Sequence, residues 1–331
     1  MNRPKVYIHR GADWYEKYVN AMDLVYLQSF ADVVTDGDRC KPMTKDELVE
    51  RMKGAEIILS PNGFGSDEIT NEVLEEVGTV KYIVICHWWG QFQHVDTERL
   101  GIKVLEGSNM NTVAVAEWVL CAALMGVRRI DSYYKELMSG TQWEWIRYNR
   151  SRMMVGKQVG LIGMGRIGRY VSRFFNAIGC KVVAYDKYIK DEELTAINVG
   201  RVELDELLST CDIISLHLPV TPETTNMLGA KHFSLIKNGA VFINSARAEL
   251  YDEPALIKEL KLNRFSAYLD VFSQEPMSMD NPLWSIPNVT INPHIAGTNY
   301  EMFYLCVRQA IETINKYAET GEMVDHRYIF P

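Results

Sequence analysis

Short apolar runs alternate with longer, charged, helical stretches along the first third of the chain. The runs are rich in β-branched residues, which favour strands. They predict five strands, at residues 6–9, 24–27, 56–60, 80–86 and 102–105. Because strands that alternate with helices form parallel sheets, we expect a parallel sheet with helices on both faces.

The next segment, residues 112–129, repeats its apolar positions at helical spacing. Asn111 is the candidate N-cap, and Arg128 and Arg129 fall in the last turn, where cations interact favourably with the helix dipole. The pattern predicts one long, mostly buried helix. Since a second alternation of strands and helices comes after it, we expect this helix to connect two domains.

The second alternation begins at Val159 and is followed by a final helical pattern at residues 301–318. It predicts six strands, the number in a full dinucleotide-binding sheet. These strands are residues 159–162, 181–185, 212–218, 240–244, 266–271 and 289–292. The fold class is therefore predicted to be α/β, with two doubly wound parallel-sheet domains.

Length and composition agree with a folded chain of two domains. A chain of 331 residues exceeds the size at which a single hydrophobic core usually stops growing. Hydrophobic residues make up 47% and charged residues 24%, as in ordinary globular proteins. The net charge of −8 provides no basic surface for phosphate backbones, so we expect a small organic ligand rather than nucleic acid.

No segment has the pattern of a targeting or membrane sequence. The N-terminus lacks the continuous apolar region of a secretory signal. The longest apolar stretch, residues 113–127, is interrupted by Glu117 and is shorter than the ~20 residues that cross a bilayer. Six dispersed cysteines contain no CxxC pair, as expected in a reducing compartment. We expect a cytoplasmic protein without a membrane partner, a disulfide framework or a cysteine metal site.

The most informative motif spans residues 159–168, where a buried strand runs into G-x-G-x-x-G and then into a helix. Gly163 would permit a tight turn, Gly165 would let the backbone approach a pyrophosphate, and Gly168 would let helix and strand pack closely. The phosphates would then meet the positive end of the helix. Because glycines also end strands for structural reasons, the motif indicates a nucleotide site only in combination with the second strand and its acid.

Asp186 comes after the second strand of this unit, 18 residues after Gly168. A carboxylate at this place accepts hydrogen bonds from the adenosine ribose hydroxyls and repels a 2′-phosphate. Asp186 could instead be a solvated strand-end residue, and Lys187 beside it could weaken the discrimination against a 2′-phosphate. Strand, glycines, helix, strand and acid occur in the required order, so we expect NAD as the cofactor.

Three later segments carry polar side chains at the carboxyl ends of predicted strands, the edge at which open α/β sheets bind ligands. They contain Arg247, Glu275 and His294. A guanidinium can bind a substrate carboxylate and polarise the adjacent keto oxygen, and an imidazole can donate the proton that accompanies a hydride. Glu275, if bonded to His294, would orient the ring and stabilise its imidazolium. Taken singly, Arg247 could be a surface charge, Glu275 part of a turn and His294 a structural histidine. Together with the glycine motif, the three residues indicate carbonyl reduction.

These segments resemble the D-isomer-specific 2-hydroxyacid dehydrogenases, the family of D-lactate, D-glycerate and phosphoglycerate dehydrogenases. The resemblance is carried by GLIGMGRIGR, HLPVTPETTNML, FINSARAELYDEPAL, LDVFSQEP and NPHIAG, which begin at residues 160, 217, 242, 269 and 292. It covers nearly the whole chain and is closest from residue 111 to residue 301. It implies NAD-dependent hydride transfer between a D-2-hydroxy acid and its 2-keto acid.

The resemblance also implies a role for each matching residue. Arg247 would be the substrate-binding electrophile, His294 the acid and base, and Glu275 its partner. Besides Gly163, Gly165, Gly168 and Asp186, the implied cofactor-binding residues are Arg166, Ile167, His217, Pro219, Thr224, Ala246 and Asp270. Asp270 would contact the nicotinamide carboxamide.

The resemblance further implies a split architecture. A flavodoxin-like substrate-binding domain would comprise residues 1–111 and 300–331, and a Rossmann dinucleotide-binding domain would comprise residues 112–299. The cleft between them would close on the substrate and exclude water. Family members are typically homodimers joined through the nucleotide domains. The Tyr- and Trp-rich residues 130–152 are therefore the candidate dimer arm.

The chain departs from the family pattern in two places. Ala248 follows Arg247 where the family usually has glycine, a change that affects a local turn. Residues 86–96 stand where the family generally has a G-[VA]-G turn whose amides hold the substrate carboxylate, and only part of that turn, including Gly90, is kept.

The second departure bears on the substrate, because it introduces Trp88 and Trp89. Either Trp could fill the core, since large aromatics dominate cores. If the preceding strand continues this far, adjacent side chains point to opposite faces and one Trp lines the cleft. Asn62 and Gly90 are the other candidate substrate contacts, with His87 and Gln91 as further polar groups. This alternative predicts a 2-keto acid with a substituent larger than, or shaped differently from, the methyl of pyruvate.

Other functions of the same fold agree less well with these residues. Some relatives are corepressors that sense NADH, but the complete set of Arg247, Glu275 and His294 argues for chemistry. Formate dehydrogenases lack the acid partner, so Glu275 argues against that branch. His87 and His94 suggest a metal, yet no carboxylate or cysteine completes a ligand set at recognised spacing, so we expect none.

Overall fold

A computed structural model of the chain describes residues 3–37, 39–87, 91–141, 143 and 151–326. The chain divides into two compact units. One contains the residues up to Asn111 together with the segment that starts at Thr298, and the other contains Thr112–Gly297. The binding roles assigned to the two domains from the sequence stay predictions.

The first unit is built on a five-stranded parallel sheet in the order β2-β1-β3-β4-β5. Its strands are β1 (Lys5–Ile8), β2 (Asp32–Thr35), β3 (Ile57–Ser60), β4 (Tyr82–Ile85) and β5 (Lys103–Glu106). Its helices are α1 (Tyr15–Tyr18), α2 (Ala21–Phe30), α3 (Lys45–Met52), α4 (Asn71–Val77), α5 (Thr97–Leu100) and the last helix of the chain, α13 (Tyr300–Thr320). This strand order is the flavodoxin-like one, so the predicted class of this domain is confirmed.

The predicted strand at residues 24–27 is wrong. These residues lie inside α2, and the next strand along the chain after β1 is β2, which pairs with β1. The Asn20 side chain caps α2 by accepting a hydrogen bond from the Asp23 amide at 2.9 Å. Asp23 and Leu27, one helical turn apart, are both fully buried, and the Arg308 guanidinium pairs with the Asp23 carboxylate. A cap and an ion pair that is distant in sequence therefore stabilise a helix where the apolar run alone suggested a strand.

The second unit is built on a seven-stranded parallel sheet in the order β12-β11-β10-β9-β6-β7-β8. Its strands are β6 (Gln158–Ile162), β7 (Lys181–Tyr185), β8 (Gly200–Arg201), β9 (Ile213–Leu216), β10 (Val241–Asn244), β11 (Ser266–Leu269) and β12 (Val289–Ile291). This is the doubly wound order of dinucleotide-binding sheets. The sheet has one strand more than predicted, because β8 has only two residues and pairs with β7 alone. A strand of two residues is too short to show a hydrophobic period in the sequence.

Several helices of the described residues accompany this sheet or lead into it. They are α6 (Met110–Arg128), α7 (Ile130–Met138), α8 (Arg166–Ala177), α9 (Asp191–Ala196), α10 (Leu204–Thr210), α11 (Ala230–Leu235) and α12 (Glu253–Lys261). Both faces of the sheet are covered by apolar packing. In β10, Phe242 packs in one cluster with Phe233, whereas Val241 and Ile243 belong to a second cluster with Phe175. Adjacent side chains of one strand thus feed two cores, as in a doubly wound fold.

The connecting helix α6 begins earlier than predicted. It begins at Met110, so Asn111 lies inside its first turn and is not the N-cap. The Met110 amide donates to the Ser108 hydroxyl at 3.1 Å, which satisfies one of the amides that a helix start leaves unpaired. Arg129 takes a left-handed conformation, with φ of 56°, and separates α6 from α7.

By length and composition, α6 is also apolar enough to cross a membrane. The same test is passed by core helices of proteins that never meet a membrane. Val119, Ala123 and Val127 of α6 are buried in the cluster that contains Val241 and Ile243 of the seven-stranded sheet. We therefore describe α6 as a core helix, as its sequence predicted.

The C-terminal helix α13 packs in the first unit. Gln309 accepts hydrogen bonds from the Ser108 hydroxyl at 2.8 Å and from the Asn109 amide at 2.9 Å. Gly107 lies so close to Ala310 that a Cβ added to it would be 2.7 Å from the alanine Cβ. These contacts tie the last helix to the segment that precedes α6, a pairing that no local pattern in the sequence contains.

Candidate active site

The glycine motif forms the turn between β6 and α8. Gly163 has a φ of 100°, and a Cβ on it would lie 2.7 Å from the His217 carbonyl oxygen. A Cβ on Gly168 would lie 2.3 Å from the Gly163 carbonyl oxygen, so helix and turn touch there. At Gly165, by contrast, a Cβ would meet no atom within 4 Å. Gly165 is the N-cap of α8, so the open space lies at the helix end where amides lack partners and a dinucleotide phosphate fits.

Asp186 is held in a fixed position at the end of β7. One carboxylate oxygen accepts the Met164 amide of the glycine turn at 2.7 Å. The other accepts the amides of Tyr188 at 2.8 Å and Ile189 at 3.0 Å. The Asp186 carbonyl oxygen accepts the Arg201 guanidinium at 2.6 Å. The carboxylate is therefore oriented next to the glycine turn, as an acceptor for ribose hydroxyls must be.

His217 follows β9 and lies beside the glycine turn. Its amide donates to the Ile162 carbonyl oxygen at 2.7 Å. Burial lowers the pKa of His217 to about 3, so the ring is neutral near pH 7. Its Nε2 is buried and has no hydrogen-bond partner within the part of the chain that the structure describes. An unsatisfied buried nitrogen at this place fits a site that a bound polar molecule completes.

The loop after His217 is held by its own side chains. The Thr224 hydroxyl donates to the Pro219 carbonyl oxygen at 2.6 Å and accepts the Thr221 amide at 2.8 Å. Thr224 therefore shapes the loop that carries Pro219. A contact of either residue with a cofactor stays a prediction.

Arg247 follows β10 in a turn fixed by Asn244. The Asn244 side chain is fully buried; it donates to the Arg247 carbonyl oxygen and accepts the Ala246 amide, both at 2.9 Å. The Arg247 side chain is exposed, and one of its nitrogens donates to the Ala246 carbonyl oxygen at 2.6 Å. Ala248 begins a 3-10 turn without a positive φ, so an alanine fits there as well as the family's glycine.

Glu275 and His294 contact each other directly. His294 Nδ1 lies 2.7 Å from one Glu275 carboxylate oxygen, and the other oxygen accepts the Phe272 amide at 2.9 Å. Partial burial opposes ionisation, but the hydrogen bonds from His294 and Phe272 and the charges of His294 and Arg247 lower the pKa of Glu275. Glu275 is therefore a carboxylate at neutral pH.

Asp270 anchors the loop that carries His294. It is fully buried, and its two carboxylate oxygens accept the amides of Ile295 at 2.9 Å and Ala296 at 2.8 Å. Burial raises the pKa of Asp270, although the two amides oppose the shift. His294 itself has a φ of 53°, a conformation that non-glycine residues adopt rarely and that clusters at functional sites. Asp270 thus stabilises the backbone that holds the histidine in this conformation.

The three polar segments meet at one edge of one sheet. Arg247, Asp270 and His294 follow the adjacent strands β10, β11 and β12, and the glycine turn follows β6 of the same parallel sheet. The carboxyl ends of all four strands therefore lie on the same side, where open α/β sheets bind ligands.

Asn244 was not among the site residues predicted from the sequence. It could have been recognised because an asparagine at the end of a strand often stabilises the following turn through its side chain.

The candidate substrate residues of the first unit are described only in part. Trp88, Trp89 and Gly90 lie outside the described residues. Asn62 follows β3, and its side chain accepts the Phe64 amide at 3.1 Å. Its proposed substrate contact stays a prediction.

The residues that flank Trp88 and Trp89 are bonded within the first unit. The Tyr18 hydroxyl lies 2.8 Å from His87 Nδ1, and burial lowers the pKa of His87 to about 4. The Gln91 side chain bonds to the Ser60 hydroxyl and to the His87 carbonyl oxygen. No group of three or more potential metal ligands occurs among the residues the structure describes.

Comparison with known proteins identifies relatives that match most of this chain. The family model for the NAD-binding domain of D-isomer-specific 2-hydroxyacid dehydrogenases matches residues 120–296. The chain is 32% identical over 309 residues to a glyoxylate reductase of Thermofilum pendens, which covers 91% of this chain and 87% of that protein.

A second relative is longer than this chain. A D-3-phosphoglycerate dehydrogenase of Methanocaldococcus jannaschii is 33% identical over 264 residues, which covers 78% of this chain and 49% of that protein. The chain therefore spans about half the length of that relative. Among solved structures, an acyclic imino acid reductase in complex with NADPH and D-Arg is similar, with a TM-score of 0.69 and 27% identity over 97% of this chain and 99% of that one.

Proposed function

The chain belongs to the D-isomer-specific 2-hydroxyacid dehydrogenases, and from this we propose that it reduces a small 2-keto acid to the D-2-hydroxy acid with NADH, or runs the reverse reaction. The contact of 2.7 Å between His294 Nδ1 and Glu275 carries the proposal, because it assembles an acid and base at the edge of the sheet that holds the glycine motif. The family is NAD-dependent, as its matching domain indicates.

His294 is the proposed proton donor to the substrate. NADH, when bound, supplies the hydride to the keto carbon. As the carbonyl π bond breaks, its electron pair moves to the oxygen, which takes a proton from His294 Nε2. In the reverse direction Nε2 accepts the hydroxyl proton. Glu275 bonds Nδ1, so it fixes which ring nitrogen faces the substrate and stabilises the imidazolium.

Arg247 is the proposed substrate-binding residue. Its guanidinium can bind the substrate carboxylate through two parallel hydrogen bonds and polarise the adjacent keto oxygen. The exposed side chain and the turn fixed by Asn244 support this role, because they hold the base of the side chain and leave its charged end accessible.

The cofactor is proposed to lie along the glycine turn. Gly163 and Gly168 shape the turn, the open backbone at Gly165 receives the pyrophosphate, and Asp186 accepts the adenosine ribose hydroxyls. Arg166, Ile167, His217, Pro219, Thr224 and Ala246 complete the proposed cofactor set, with Asp270 next to the nicotinamide. Because a carboxylate repels a 2′-phosphate, we expect NAD(H) to be preferred to NADP(H). Asp186→Ser is then expected to reduce the ratio of kcat/KM with NADH to kcat/KM with NADPH.

The substrate proposed is a 2-keto acid with a substituent larger than, or shaped differently from, the methyl of pyruvate. The relatives named above include a glyoxylate reductase and a D-3-phosphoglycerate dehydrogenase, so the acids themselves vary within the family. The replacement of the family's glycine-rich turn around Trp88 and Trp89 supports a different pocket in this chain.

The partner proposed is a second copy of the chain in the cytoplasm. Ile130, Tyr134 and Met138 of α7 are apolar and are 59%, 64% and 70% exposed, and Trp143 is 66% exposed. Such a patch favours a protein interface. The described cysteines are all free, as in a reducing compartment. A single monomer mass in sedimentation at micromolar concentration would contradict the dimer.

Turnover separates this proposal from a binding protein that only senses NADH. The relatives named above are enzymes, and the Glu275–His294 contact is the feature that formate dehydrogenases lack, so neither alternative is favoured. The test is the loss of NADH absorbance with a panel of 2-keto acids, repeated with NADPH. Turnover of at least one acid is expected; NADH binding without any turnover would favour the sensor.

A further inference from the structure

A cation stands beside the carboxylate that is proposed to select the cofactor. Lys187 follows Asp186 directly, at the place where NADP-dependent proteins of this fold carry a cation for the 2′-phosphate. Left free, its ammonium would attract that phosphate and offset the repulsion by Asp186. The discrimination therefore depends on what Lys187 contacts.

Lys187 is paired with a carboxylate from another loop. Its Nζ forms an ion pair with one oxygen of Glu223, and the Tyr188 hydroxyl donates to the other oxygen at 2.7 Å. Because of the hydrogen bonds from Lys187 and Tyr188, the pKa of Glu223 is lowered, so Glu223 is a full negative charge near neutral pH. Lys187 and Glu223 are both about half exposed, within reach of a ligand in solution.

Both partners stand on backbone that other contacts hold in place. Glu223 belongs to the loop in which the amides of Thr224 and Thr225 donate to the Thr221 carbonyl oxygen at 3.1 and 3.0 Å. On the other side, the Asp186 carboxylate bonds the amides that follow Lys187. The ion pair thus joins two preformed segments.

We propose that Glu223 is a specificity-determining residue for the cofactor, because it occupies Lys187 and brings a second carboxylate to the two residues that follow Asp186. The dinucleotide with a free ribose meets no penalty at this place. A 2′-phosphate, with about −1.5 to −2 charges near pH 7, meets two carboxylates and a lysine that is already paired. This inference rests on the proposed function only through the assignment of the adenosine ribose to Asp186.

The test compares the dissociation constants of NADH and NADPH for the whole protein without substrate, followed by the fluorescence of the reduced nicotinamide. Glu223→Gln is expected to improve NADPH binding relative to NADH by about two- to fivefold, the range for exposed charge pairs, and less at high salt. The matched control is Glu76→Gln. It removes a carboxylate from an equally exposed pair with Lys45 in the other unit and is expected to leave the ratio unchanged.

A second variant tests whether Lys187 acts through Glu223. Lys187→Met is expected to weaken NADPH binding less in the native background, where Glu223 already occupies the lysine, than in the Glu223→Gln background, where the ammonium is free to bind the 2′-phosphate. An unchanged ratio in Glu223→Gln, or an equal loss from Lys187→Met in both backgrounds, would overturn the inference. If the native protein bound neither dinucleotide, the proposed function itself would fail, so the two failures are distinguishable.

Discussion

His294 Nδ1 and the Glu275 carboxylate lie 2.7 Å apart, although the two residues are 19 positions apart and follow different strands. β11 and β12 are neighbours in a parallel sheet, so the segments after them end at the same edge. The carboxylate occupies Nδ1, which leaves Nε2 as the ring atom that can exchange a proton with a substrate. The strand order of the sheet thus determines which atom is proposed to do the chemistry.

This contact predicts a pH-dependent stability difference. The folded-state pKa of Glu275 is lowered. The stabilisation is therefore present above the ordinary Glu pKa of about 4.3 and is lost as the pH falls through the lower folded value. The Tm of Glu275→Gln should lie below that of the native protein near pH 7, with the gap closing below about pH 4. A gap that stays constant or widens at acid pH would show that the carboxylate is not responsible.

The second and third glycines of the motif predict different outcomes for stability. Gly165→Ala is expected to keep its Tm and lose dinucleotide affinity, because the added Cβ enters open space at the helix end. Gly168→Ala is expected to lose both, because its Cβ would lie 2.3 Å from the Gly163 carbonyl oxygen. Thermal unfolding and NADH titration distinguish the two.

Gly229→Ala is the control for this pair. Gly229 is also an N-cap, and its added Cβ would also meet no atom within 4 Å. It should change neither the Tm nor the affinity for NADH. If Gly165→Ala bound NADH as tightly as this control, the phosphate would not lie at Gly165.

Much of this site was predicted from the sequence because its parts are local. A strand, three glycines, a helix and an acid occur in order within residues 159–186, so the turn and Asp186 could be recognised together. The resemblance implied Glu275 as the partner of His294, and the parallel strands that precede the two segments predicted that both end at the same edge of the sheet. The glycine turn depends on hydrogen bonds and packing among residues that are close in sequence, so it leaves a recognisable pattern in the sequence.

The features that the sequence did not predict depend on contacts between distant residues. The buried pairing of Asp23 with Arg308 spans 285 positions, and nothing near residue 24 shows that a helix, not a strand, is stabilised there. The same holds for Glu223, whose partner Lys187 lies 36 positions earlier. From the sequence alone, a charged loop residue that forms an ion pair cannot be distinguished from one that is solvated.

Asp270 is predicted to hold the His294 loop in place. Asp270→Asn replaces one acceptor oxygen by an amide nitrogen, which leaves either the Ile295 or the Ala296 amide without an acceptor, so the free energy of unfolding should fall by about 1–3 kcal/mol. The value of kcat should fall as well, because the loop carries the proton donor. Urea unfolding and steady-state kinetics measure the two effects.

Asp131→Asn provides the control for a loss of stability alone. The Asp131 carboxylate accepts the hydroxyls of Tyr268, on β11, and Thr290, on β12, so these hydrogen bonds are with the strands and not with the loop that carries His294. This variant should be destabilised with kcat nearly unchanged. Equal kcat values in the two variants would mean that Asp270 contributes stability only.

The aromatic replacement at Trp88 and Trp89 predicts a change in substrate preference. Native enzyme should prefer a 2-keto acid other than pyruvate or glyoxylate, and one Trp→Ala variant should alter the rank order. The measurement is kcat/KM for pyruvate, glyoxylate, hydroxypyruvate, phenylpyruvate and branched-chain keto acids. A preference for glyoxylate or pyruvate, with both variants affecting only stability, would place the two side chains in the core.

The most direct test of the proposed chemistry is His294→Gln assayed with the best acid of that panel. The variant should bind NADH as the native protein does and lose about 10²- to 10⁴-fold in kcat, the usual contribution of a positioned general acid. Binding is measured by NADH titration and kcat by the loss of NADH absorbance. A near-normal kcat in His294→Gln would contradict the account, because the proton would then come from another group.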